Sequence, residues 1–303
     1  MTRKVFLSRA QMRFREDEMP FSYELFFALY IVSMAVGIFI GLLVFVGWKD
    51  LFWRKALESA RYNVLYIALV VGLPVLMLIE HIFRDPGEST REIIYTNWIF
   101  SISGNAIRIL QDRLDYQLLV DFFILVYVWV FTYIIYFTPV LLLAKDDRST
   151  LRRYAIALMF NYIVLLPFYI FFPVSVTGFY ADSGITPFLY INTNWGRMVT
   201  SVDPLDNDFP SAHVSLILTG LLVLLAAGQD YRRYSYFLAA ATVGITFSVL
   251  YLGVHWLADV FGGFLLAVGA VLFSGSERIQ MAFDRYVRKI TRKLTKEKEG
   301  RAV

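Results

Sequence analysis

Long apolar stretches alternate with short polar ones along most of this chain. Several of the apolar stretches are about long enough to cross a bilayer at ~1.5 Å rise per residue. The pattern predicts an all-α, polytopic transmembrane helical bundle with six to eight spans. The predicted spans are residues 25–46, 63–82, 118–144, 154–172, 214–228, 236–252 and 256–273.

The segment 92–110 is an apolar run whose place in the bundle the pattern leaves open. It is barely long enough to span, and its polar side chains make it a poor lipid-facing helix. Those residues are Asn97, Ser101, Ser103, Gly104, Asn105 and Arg108. We therefore expect an interfacial helix, amphipathic or re-entrant, that lies over the bundle. If the segment crosses the membrane instead, the number of spans rises from seven to eight.

Composition supports the membrane assignment and excludes several kinds of site. Of the 303 residues, 58% are hydrophobic and 18% are charged, and mean hydropathy is +0.57. There is no cysteine, so disulfides, thiolate metal sites and cysteine nucleophiles are excluded. Three histidines far apart in sequence are too few for a metal-ligand cluster. We expect neither a metal nor a cofactor.

The chain divides into three parts by composition. Residues 1–117 hold the N-terminal spans and the interfacial helix, residues 118–275 form a membrane core, and residues 276–303 form a basic tail. The tail predicts an amphipathic helix on an anionic cytoplasmic membrane surface, and a nucleic-acid partner is the weaker interpretation. A long polar loop, 174–209, is a natural place for substrate recognition, although a charged loop can equally be merely solvated.

Charge along the loops predicts the orientation in the membrane. The loops 145–153 and 229–235 and the tail fall on one side by parity and are basic, whereas the long loop contains Arg197 as its basic residue. The positive-inside rule then places the tail in the cytoplasm and the opposite face outside the cell or in a lumen. With seven spans the N-terminus lies on that opposite face, against its own basic character, and with eight it lies in the cytoplasm.

Two of the three histidines stand at the outer ends of the apolar runs 214–228 and 236–252. Since the chain crosses once in each run, His213 and His255 return to the same membrane face. His255 and Asp259 are spaced i, i+4, so on a helix the carboxylate can hold the imidazole. An imidazole oriented in this way is a candidate nucleophile or base, and the second histidine is a candidate acid. A single histidine at a helix end more often satisfies a polar group, but two on one face with an acidic partner favour function.

The sequences FPSAH, which ends at His213, and YLGVHWLAD, which ends at Asp259, resemble the second and third signature motifs of the type 2 phosphatidic acid phosphatase (PAP2) superfamily. Its members are membrane and soluble phosphoryl-transfer enzymes that work through a phosphohistidine. The resemblance implies that His255 attacks phosphorus, Asp259 orients it and His213 protonates the leaving oxygen. It also makes Ser211, with the amides at the start of its helix, and Tyr251 candidates for phosphate binding.

Basic residues that the phosphatases of this superfamily carry are missing here. Those enzymes have a first motif of a lysine, six residues and an Arg-Pro, and an arginine just after the serine of the third motif. In this chain residues 166–180 contain no basic residue, and Val249 follows the corresponding Ser248. The pattern is similar to the inositol phosphorylceramide synthase and sphingomyelin synthase branch, which lacks much of the arginine cluster.

The absence of these basic side chains favours a substrate with less negative charge. A phosphomonoester carries close to two negative charges at neutral pH, whereas a phosphodiester carries one and needs fewer fixed cations. We therefore predict a lipid phosphotransferase that moves a phospho-head group from a phospholipid donor to an alcohol acceptor through a phosphohistidine. Arg197 is a candidate substitute for the missing cations, and so are His81 and Arg84 if there are seven spans.

Two alternatives stay open. One is a PAP2-type phosphatase of lipid or polyprenyl phosphates, with water as the acceptor. The other is a non-enzymatic lipid-binding or transport protein, which would explain the spans but not the spacing of the histidines and the aspartate. The expected partners are a membrane lipid substrate and the bilayer, without nucleic acid, and the sequence indicates neither the lipid nor an oligomeric state.

Overall fold

The computed structural model of the chain describes residues 22–48, 60, 64–70, 72, 88–191, 193–201 and 205–300, with the backbone alone for 88–91, 193 and 290–300. Over this part of the chain the fold is an all-α bundle. Its one pairing of extended backbone is an isolated parallel bridge between Val174 and Asn207. The predicted fold class is confirmed.

Helices follow one another closely, and a π-helical turn, Val126–Val130, joins two of them end to end. In chain order they are α1 (Tyr23–Phe45), α2 (Glu88–Ser103), α3 (Ala106–Arg113), α4 (Gln117–Leu125), α5 (Phe131–Ala144), α6 (Arg148–Phe171), α7 (Phe188–Ile191), α8 (Thr193–Thr200), α9 (Ala212–Ala227), α10 (Arg232–Tyr251), α11 (Leu257–Gly275) and α12 (Glu277–Gly300).

Five helical segments within the described ranges are long and apolar enough to cross a membrane, and α9 is a shorter apolar helix. They are Tyr23–Phe45, Gln117–Ala144, Arg148–Phe171, Gln229–Tyr251 and Leu257–Gly275. The chain is therefore a multi-pass membrane protein, as predicted. Most of the predicted span 63–82 lies outside the described residues, which include a helical stretch at 64–70.

Two helices begin earlier than the hydropathy pattern predicts. α6 begins at Arg148 instead of residue 154, because the Asp147 carboxylate caps it by accepting the Thr150 N–H at 3.0 Å. α10 begins at Arg232, inside the predicted loop 229–235. Hydropathy marks where a helix enters the membrane, whereas the capping residue marks where the helix itself begins.

α9 packs against α6, α10 and α11 in the centre of the bundle. Two glycines of α11 allow it to approach the start of α9 closely. A Cβ on Gly263 would lie 2.7 Å from the Ser211 carbonyl oxygen, and one on Gly262 would lie 2.9 Å from Cβ of Pro210. Larger residues at these two positions would push the helices apart.

A buried polar network also fastens α9 to α6. The Asn161 amide donates to the Thr219 hydroxyl at 3.1 Å, and the Ser215 hydroxyl donates to the Asn161 amide oxygen. Because each of these polar groups has a partner, the network is a packing device of the kind expected for Asn161.

His213 in the first turn of α9 and His255 in the turn before α11 mark one end of the bundle, which we call the histidine end. The opposite end, where α12 follows α11, is the tail end. α1 begins at the histidine end, where the Phe26 ring packs edge-on against the Trp195 ring with centroids 4.8 Å apart. The chain therefore enters α1 from the same end that carries the two histidines.

α2 and α3 lie across the histidine end and do not cross the bundle. The Thr96 hydroxyl accepts the Ser175 N–H at 2.9 Å, and the Ser103 hydroxyl accepts the Ala258 N–H at 3.2 Å. Gly104, with a φ of 62°, turns the chain between the two helices. This arrangement is the helix expected over the bundle, and the eight-span alternative, in which the segment crosses, does not fit.

Gln111 anchors α3 to this end of the bundle. Its amide nitrogen donates to the carbonyl oxygens of Thr186 at 2.9 Å and Tyr251 at 2.8 Å, and its amide oxygen accepts the Thr186 N–H at 2.7 Å. One buried side chain thereby ties α3 to the long loop and to the last residue of α10.

α12 is held at the tail end by contacts with α6 and with the segment near residue 66. Arg152 donates to Asp284 at 2.6 Å and to Gln280 at 2.9 Å, and the Tyr66 hydroxyl donates to Asp284 at 2.7 Å. The predicted tail helix is thus present over Glu277–Gly300. Its contact with an anionic membrane surface stays a prediction.

Candidate active site

The rings of His213 and His255 lie with their centroids 5.9 Å apart. Ser211 begins α9 as its N-cap, since its hydroxyl accepts the Val214 N–H at 3.4 Å. The Ser211 N–H in turn donates to the carbonyl oxygen of Asp259 at 3.0 Å. Because Asp259 lies in the first turn of α11, these bonds join the two segments that carry the histidines.

His255 projects from a tight turn that ends α10. Its N–H and that of Val254 donate to the Val249 carbonyl oxygen at 2.9 Å and 3.1 Å. Gly253, just before them, has a φ of 75°, and a Cβ there would lie 2.6 Å from the Thr186 carbonyl oxygen. Both the left-handed backbone and the close approach require glycine at this place in the YLGVHWLAD motif.

Two carboxylates flank Nδ1 of His255. Asp208 Oδ1 lies 3.2 Å from that nitrogen and Asp259 Oδ2 lies 3.5 Å from it, and the three side chains are 5%, 3% and 0% exposed in the order His255, Asp208, Asp259. Asp259 is a predicted site residue, whereas Asp208 is not. The available signal was a carboxylate placed directly before the FPSAH motif.

Extended backbone holds Asp208 beside the histidine. The Asp208 N–H donates to the Val174 carbonyl oxygen at 3.3 Å, and the Val174 N–H donates to the Asp206 carbonyl oxygen at 2.8 Å. The two ends of the long loop 174–209 are thus paired with each other. This pairing, between residues far apart in sequence, brings the second carboxylate into the site.

Burial and charge act in opposite directions on His255. Burial lowers its pKa, but the carboxylate of Asp208 and, to a smaller degree, that of Asp259 raise the pKa of His255 to about 10. Burial raises the pKa of Asp208 well above its ordinary value, and the adjacent imidazolium offsets only part of that effect. Because both carboxylates lie on the Nδ1 side of the ring, Nε2 is the ring nitrogen left for a substrate or a second proton.

His213 is held between two aromatic rings. Tyr127 stacks on it with centroids 4.4 Å apart and an interplanar angle of 26°, and the Phe131 centroid lies 4.3 Å away. Tyr127 belongs to the π turn Val126–Val130, which changes the register of side chains along the α4–α5 helix. Neither ring is predicted as a site residue, because the apolar run around them shows no break at the π turn.

A cavity of about 830 Å³ opens beside the two histidines, with walls from α1, α5, α6 and the long loop. Its walls are rich in tyrosine, including Tyr23, Tyr30, Tyr127, Tyr136, Tyr162 and Tyr169. Asp208 is the carboxylate among the described lining residues, and no lysine or arginine is among them. The volume is in the range of small-molecule sites, ~300–1,000 Å³.

Two of the predicted phosphate-binding residues lie close to this cavity. Ser211 is fully buried at the start of α9, where its hydroxyl acts as the helix cap. The Arg197 guanidinium stacks over the Tyr23 ring at 4.3 Å, and Tyr23 lines the cavity. Arg197 thus lies at the edge of the cavity, one ring away from its interior.

The other predicted phosphate-binding residues are not brought to the cavity. The Tyr251 hydroxyl donates to the Leu114 carbonyl oxygen, and its ring stacks with that of Phe247 at a centroid distance of 5.6 Å. The structure therefore places Tyr251 in the packing between α10 and the segment after α3. His81 and Arg84 lie outside the described residues.

The buried cluster of Asp208, His255 and Asp259 also has the composition of a possible metal site. Donor atoms of Asp208, His255 and Asp259 lie within 4.8 Å of one another, a spacing that one cation could bridge. A metal there would take up the Nδ1 lone pair, whereas covalent chemistry at Nε2 needs only a proton on Nδ1. That no metal or cofactor is needed stays a prediction.

Comparison with known proteins found a matching family and a related protein. The sequence model of the family described as the PAP2 superfamily matches residues 122–276. An undecaprenyl-diphosphatase of Sulfolobus acidocaldarius is 28% identical over 129 residues, which is 43% of this chain and 55% of that protein. The chain thus spans about half the length of this curated relative. No solved structure matches the chain.

Proposed function

The chain belongs to the PAP2 superfamily, and from that premise we propose that it is a lipid phosphotransferase that works through a phosphohistidine at His255. Family membership makes it a phosphatase-like or phosphotransferase enzyme of the membrane, so the non-enzymatic alternative is set aside. In the proposal a phospholipid donates a phospho-head group and an alcohol accepts it. This assignment puts the chain near the inositol phosphorylceramide synthase and sphingomyelin synthase branch.

In the first step the Nε2 lone pair of His255 attacks phosphorus, and the bond from phosphorus to the lipid alcohol oxygen breaks. His213 gives its proton to that oxygen, so the lipid leaves as a neutral alcohol instead of an alkoxide. The carboxylates of Asp208 and Asp259, 3.2 Å and 3.5 Å from Nδ1, balance the positive charge that develops on the attacking ring.

In the second step the acceptor alcohol gives its proton to His213, and its oxygen attacks phosphorus. The phosphorus–nitrogen bond breaks, and its electron pair returns to Nε2 of His255. Both histidines are then back in their starting protonation states. The two rings lie with their centroids 5.9 Å apart and both line the cavity, so both can reach one phosphoryl group bound there.

The charge of the cavity lining is the observation that carries the choice of donor. Among the described lining residues Asp208 carries a carboxyl group and none is a lysine or an arginine. A phosphomonoester or a diphosphate would bring two or more negative charges to a site with few positive ones, next to a buried carboxylate. A phosphodiester brings one negative charge, which the positive charge that develops on the His255 ring during attack can balance.

A phosphatase is the second candidate, and the undecaprenyl-diphosphatase relative favours it. Water would then replace the alcohol in the second step, and the substrate would be a lipid or polyprenyl phosphate. Arg197, whose guanidinium lies 4.3 Å from the Tyr23 ring at the cavity edge, would be the described residue best placed to supply positive charge. Binding of a more highly charged substrate would require it to turn toward the cavity.

The experiment that separates the two candidates is a product assay on purified protein in detergent. A labelled phosphodiester lipid, a lipid monophosphate and a polyprenyl diphosphate are offered in parallel, each with and without an alcohol acceptor. We expect consumption of the diester and appearance of a new phospholipid only when the acceptor is present. Release of inorganic phosphate from the other two substrates, without acceptor, would replace the transferase by the phosphatase.

Two variants complete this assay. His255→Ala should abolish every product, and Asp284→Asn, at the tail end of the bundle, should leave them all. A quench in denaturing detergent at alkaline pH should preserve a phosphohistidine in the wild-type protein, and none should be found in His255→Ala. Turnover of all substrates by His255→Ala would overturn both candidates.

We also propose that the active site faces the non-cytoplasmic side, since basic residues such as Lys145, Arg152 and Arg153 lie toward the tail end. The chain has no cysteine, so single cysteines report accessibility without background. Asp182→Cys, in the exposed part of the long loop, should react with an impermeant maleimide from outside intact cells, and Asp230→Cys should not. The reverse labelling pattern would invert the proposed orientation.

A further inference from the structure

We propose that the hydrocarbon chain of the lipid substrate enters the cavity from the side, between α1 and α5, and lies along α1, whose side chains select which chains fit. α1 precedes residues 122–276, the part of the chain that the family model matches, so this wall comes from outside the matched core. The proposal rests on the lipid substrate of the proposed function, but the second of its two tests requires no turnover.

One face of α1 lines the cavity over about three turns. It contributes Tyr23, Phe27, Tyr30, Ile31 and Met34 to the wall. Spacings of three and four residues place these side chains on one side of the helix, and from the first to the last of them the helix advances by ~16 Å. The cavity is therefore elongated along a membrane-spanning helix, a shape that suits a hydrocarbon chain.

The cavity has a mouth that faces the membrane, formed by Phe27 and Ile31 of α1 and Tyr136 of α5. All three line the cavity, yet they are 44%, 51% and 48% exposed in that order. Deeper lining residues such as Met34 and Leu216 are buried. Because α1 and the α4–α5 segment are long and apolar enough to cross a membrane, a mouth between them opens to lipid.

The α1 wall ends where the two helices close on each other. A Cβ on Gly37 would lie 2.8 Å from the Trp129 ring, and one on Gly41 would lie 2.7 Å from the Phe137 ring. No space is left between α1 and α5 at that depth, and Met34, one turn earlier, is the last residue of α1 in the wall. Met34 therefore stands at the closed end of the wall.

The first half of α1, which carries the mouth, is fixed by the long loop instead of by α5. The Trp195 ring of α8 packs edge-on against the rings of Phe26 and Tyr30, with centroids 4.8 Å and 6.2 Å away. Farther along the helix the Trp129 indole N–H donates to the Ser33 hydroxyl at 2.9 Å. Two attachments at different depths thus hold α1 in place while the cavity stays open beside it.

Polar groups of the cavity come from the long loop and the residue just before its last turn. Ser201, Asn207 and Asp208 line the cavity there, whereas the lining residues of α1 are aromatic or aliphatic. His213 and His255 line the same cavity. A lipid whose phosphate lies at the two histidines can consequently direct its head group to the loop and its chain along α1, which matches the polarity of each wall.

The first test compares Ile31→Trp with Ile40→Trp. Both isoleucines belong to α1 and are 51% and 52% exposed, but Ile40 is not among the described lining residues. Nine residues separate them, which is two and a half helical turns, so they lie on opposite faces. KM is measured for a long-chain phosphodiester lipid and for a water-soluble nitrophenyl phosphodiester without a chain.

Ile31→Trp should raise KM for the lipid by ~10-fold or more, because the larger ring narrows the mouth, and should change KM for the soluble diester much less. Ile40→Trp should keep the wild-type KM for both substrates. Activity toward the soluble diester shows that each variant is folded. An unchanged KM for the lipid in Ile31→Trp, or an equal rise for the two substrates, would overturn the proposal.

The second test locates the chain without turnover. A phosphodiester lipid and a lipid monophosphate, each with a diazirine at the end of its acyl chain, are photolysed with His255→Ala protein, and the cross-linked residues are identified by mass spectrometry. We expect cross-links at Met34 or Leu216, which are 7% and 4% exposed and out of reach of bulk lipid. An excess of the same lipid without diazirine should compete with them.

Cross-links confined to outward-facing residues such as Ile40 would show contact with bulk lipid only and would overturn the proposal. If the wild-type protein turns over none of the substrates, the proposed function fails. Cross-links at Met34 or Leu216 would support the α1 wall in that case as well, because they report where the chain lies and not what happens to the phosphate.

Discussion

Each end of the bundle contains a contact between a carboxylate and a basic side chain, and the two contacts differ in burial. At the tail end Arg152 and Asp284 are 2.6 Å apart, and each side chain is 26% exposed. At the histidine end His255 lies 3.2 Å from Asp208, and neither side chain is more than 5% exposed. The shorter contact is the one with access to water, so distance alone does not rank them. Burial ranks the two contacts instead, because water solvates an exposed charge that loses its partner, whereas water cannot reach a buried charge.

The two contacts, which differ in burial, also differ in their roles. The tail-end pair fastens α12 to α6, a role that apolar contacts and other hydrogen bonds share. The buried group at the histidine end determines how many protons the His255 ring carries and which nitrogen faces the cavity. Mutations should therefore have effects that differ by orders of magnitude between the two ends.

The largest effect is expected from removal of the His255 ring. His255→Ala should eliminate labelling of the enzyme and reduce turnover by at least ~10⁴-fold, because the proposed nucleophile is absent. The measurement is incorporation of ³²P from a labelled lipid donor after a quench in denaturing detergent at alkaline pH. Arg152→Gln, the matched loss of a basic side chain at the tail end, should be labelled as fully as the wild-type protein. Stable labelling of His255→Ala would show that another residue is the nucleophile.

A smaller effect, dependent on the leaving group, is expected for His213. His213→Ala should slow the reaction by ~10²–10⁴-fold when the leaving group is an alcohol that must be protonated. With a nitrophenyl phosphodiester the loss should be much smaller, since nitrophenolate leaves without a proton. Comparing the two substrates in the same preparation checks the general-acid role. Equal losses with both would assign His213 to binding or packing between Tyr127 and Phe131.

The turn that presents His255 should be sensitive to the addition of one methyl group. Gly253→Ala forces a side chain into a left-handed backbone and 2.6 Å from the Thr186 carbonyl oxygen, so we expect a loss of ~1–3 kcal/mol in the free energy of unfolding. Thermal unfolding in detergent, with activity measured in parallel, provides the readout. Gly269→Ala in α11 is the control, because its Cβ would meet the Phe160 ring at 3.6 Å, an ordinary contact. Equal melting temperatures for the two variants would contradict this account of the turn.

The smallest effect is expected at the tail end. A double-mutant cycle with Arg152→Gln and Asp284→Asn should give a coupling energy below ~1 kcal/mol, with turnover unchanged. Added salt should reduce that coupling further, because the pair is partly open to water. A coupling of several kcal/mol, or a loss of turnover, would remove the distinction between the two ends.

Several features of the fold were predictable because they depend on neighbouring residues. The membrane spans follow from the length of apolar runs, and the proximity of Asp259 to His255 follows from their i, i+4 spacing. The placement of 92–110 over the bundle was predictable from its polar residues. One of them, Ser103, accepts a hydrogen bond from the Ala258 N–H. Helix starts were less predictable, since Asp147 extends α6 beyond the apolar run.

Other features depend on contacts that no local pattern encodes. The stacking of Tyr127 on His213 arises from a π turn within an unbroken apolar run. The hydrogen bond from the Tyr251 hydroxyl to the Leu114 carbonyl oxygen, away from the cavity, likewise required the placement of α10 beside the segment after α3. The helices α7 and α8 occupy a stretch that composition presents simply as a polar loop.

Patterns within the sequence are enough to predict a helical membrane bundle with two histidines at one end and an aspartate one turn after the second. The length of an apolar run reflects the thickness of a bilayer, and the i, i+4 spacing of two side chains reflects the pitch of a helix. Both are properties of a few consecutive turns of the chain. Which carboxylate lies nearest to His255, and what surrounds the two side chains, depends on how distant segments of the chain pack together. Asp208 reaches the ring because Val174 and Asn207 pair across the long loop, and the cavity is closed by helices from distant parts of the chain. Such contacts are set by packing among segments far apart in sequence, so they become visible only when those segments are brought together.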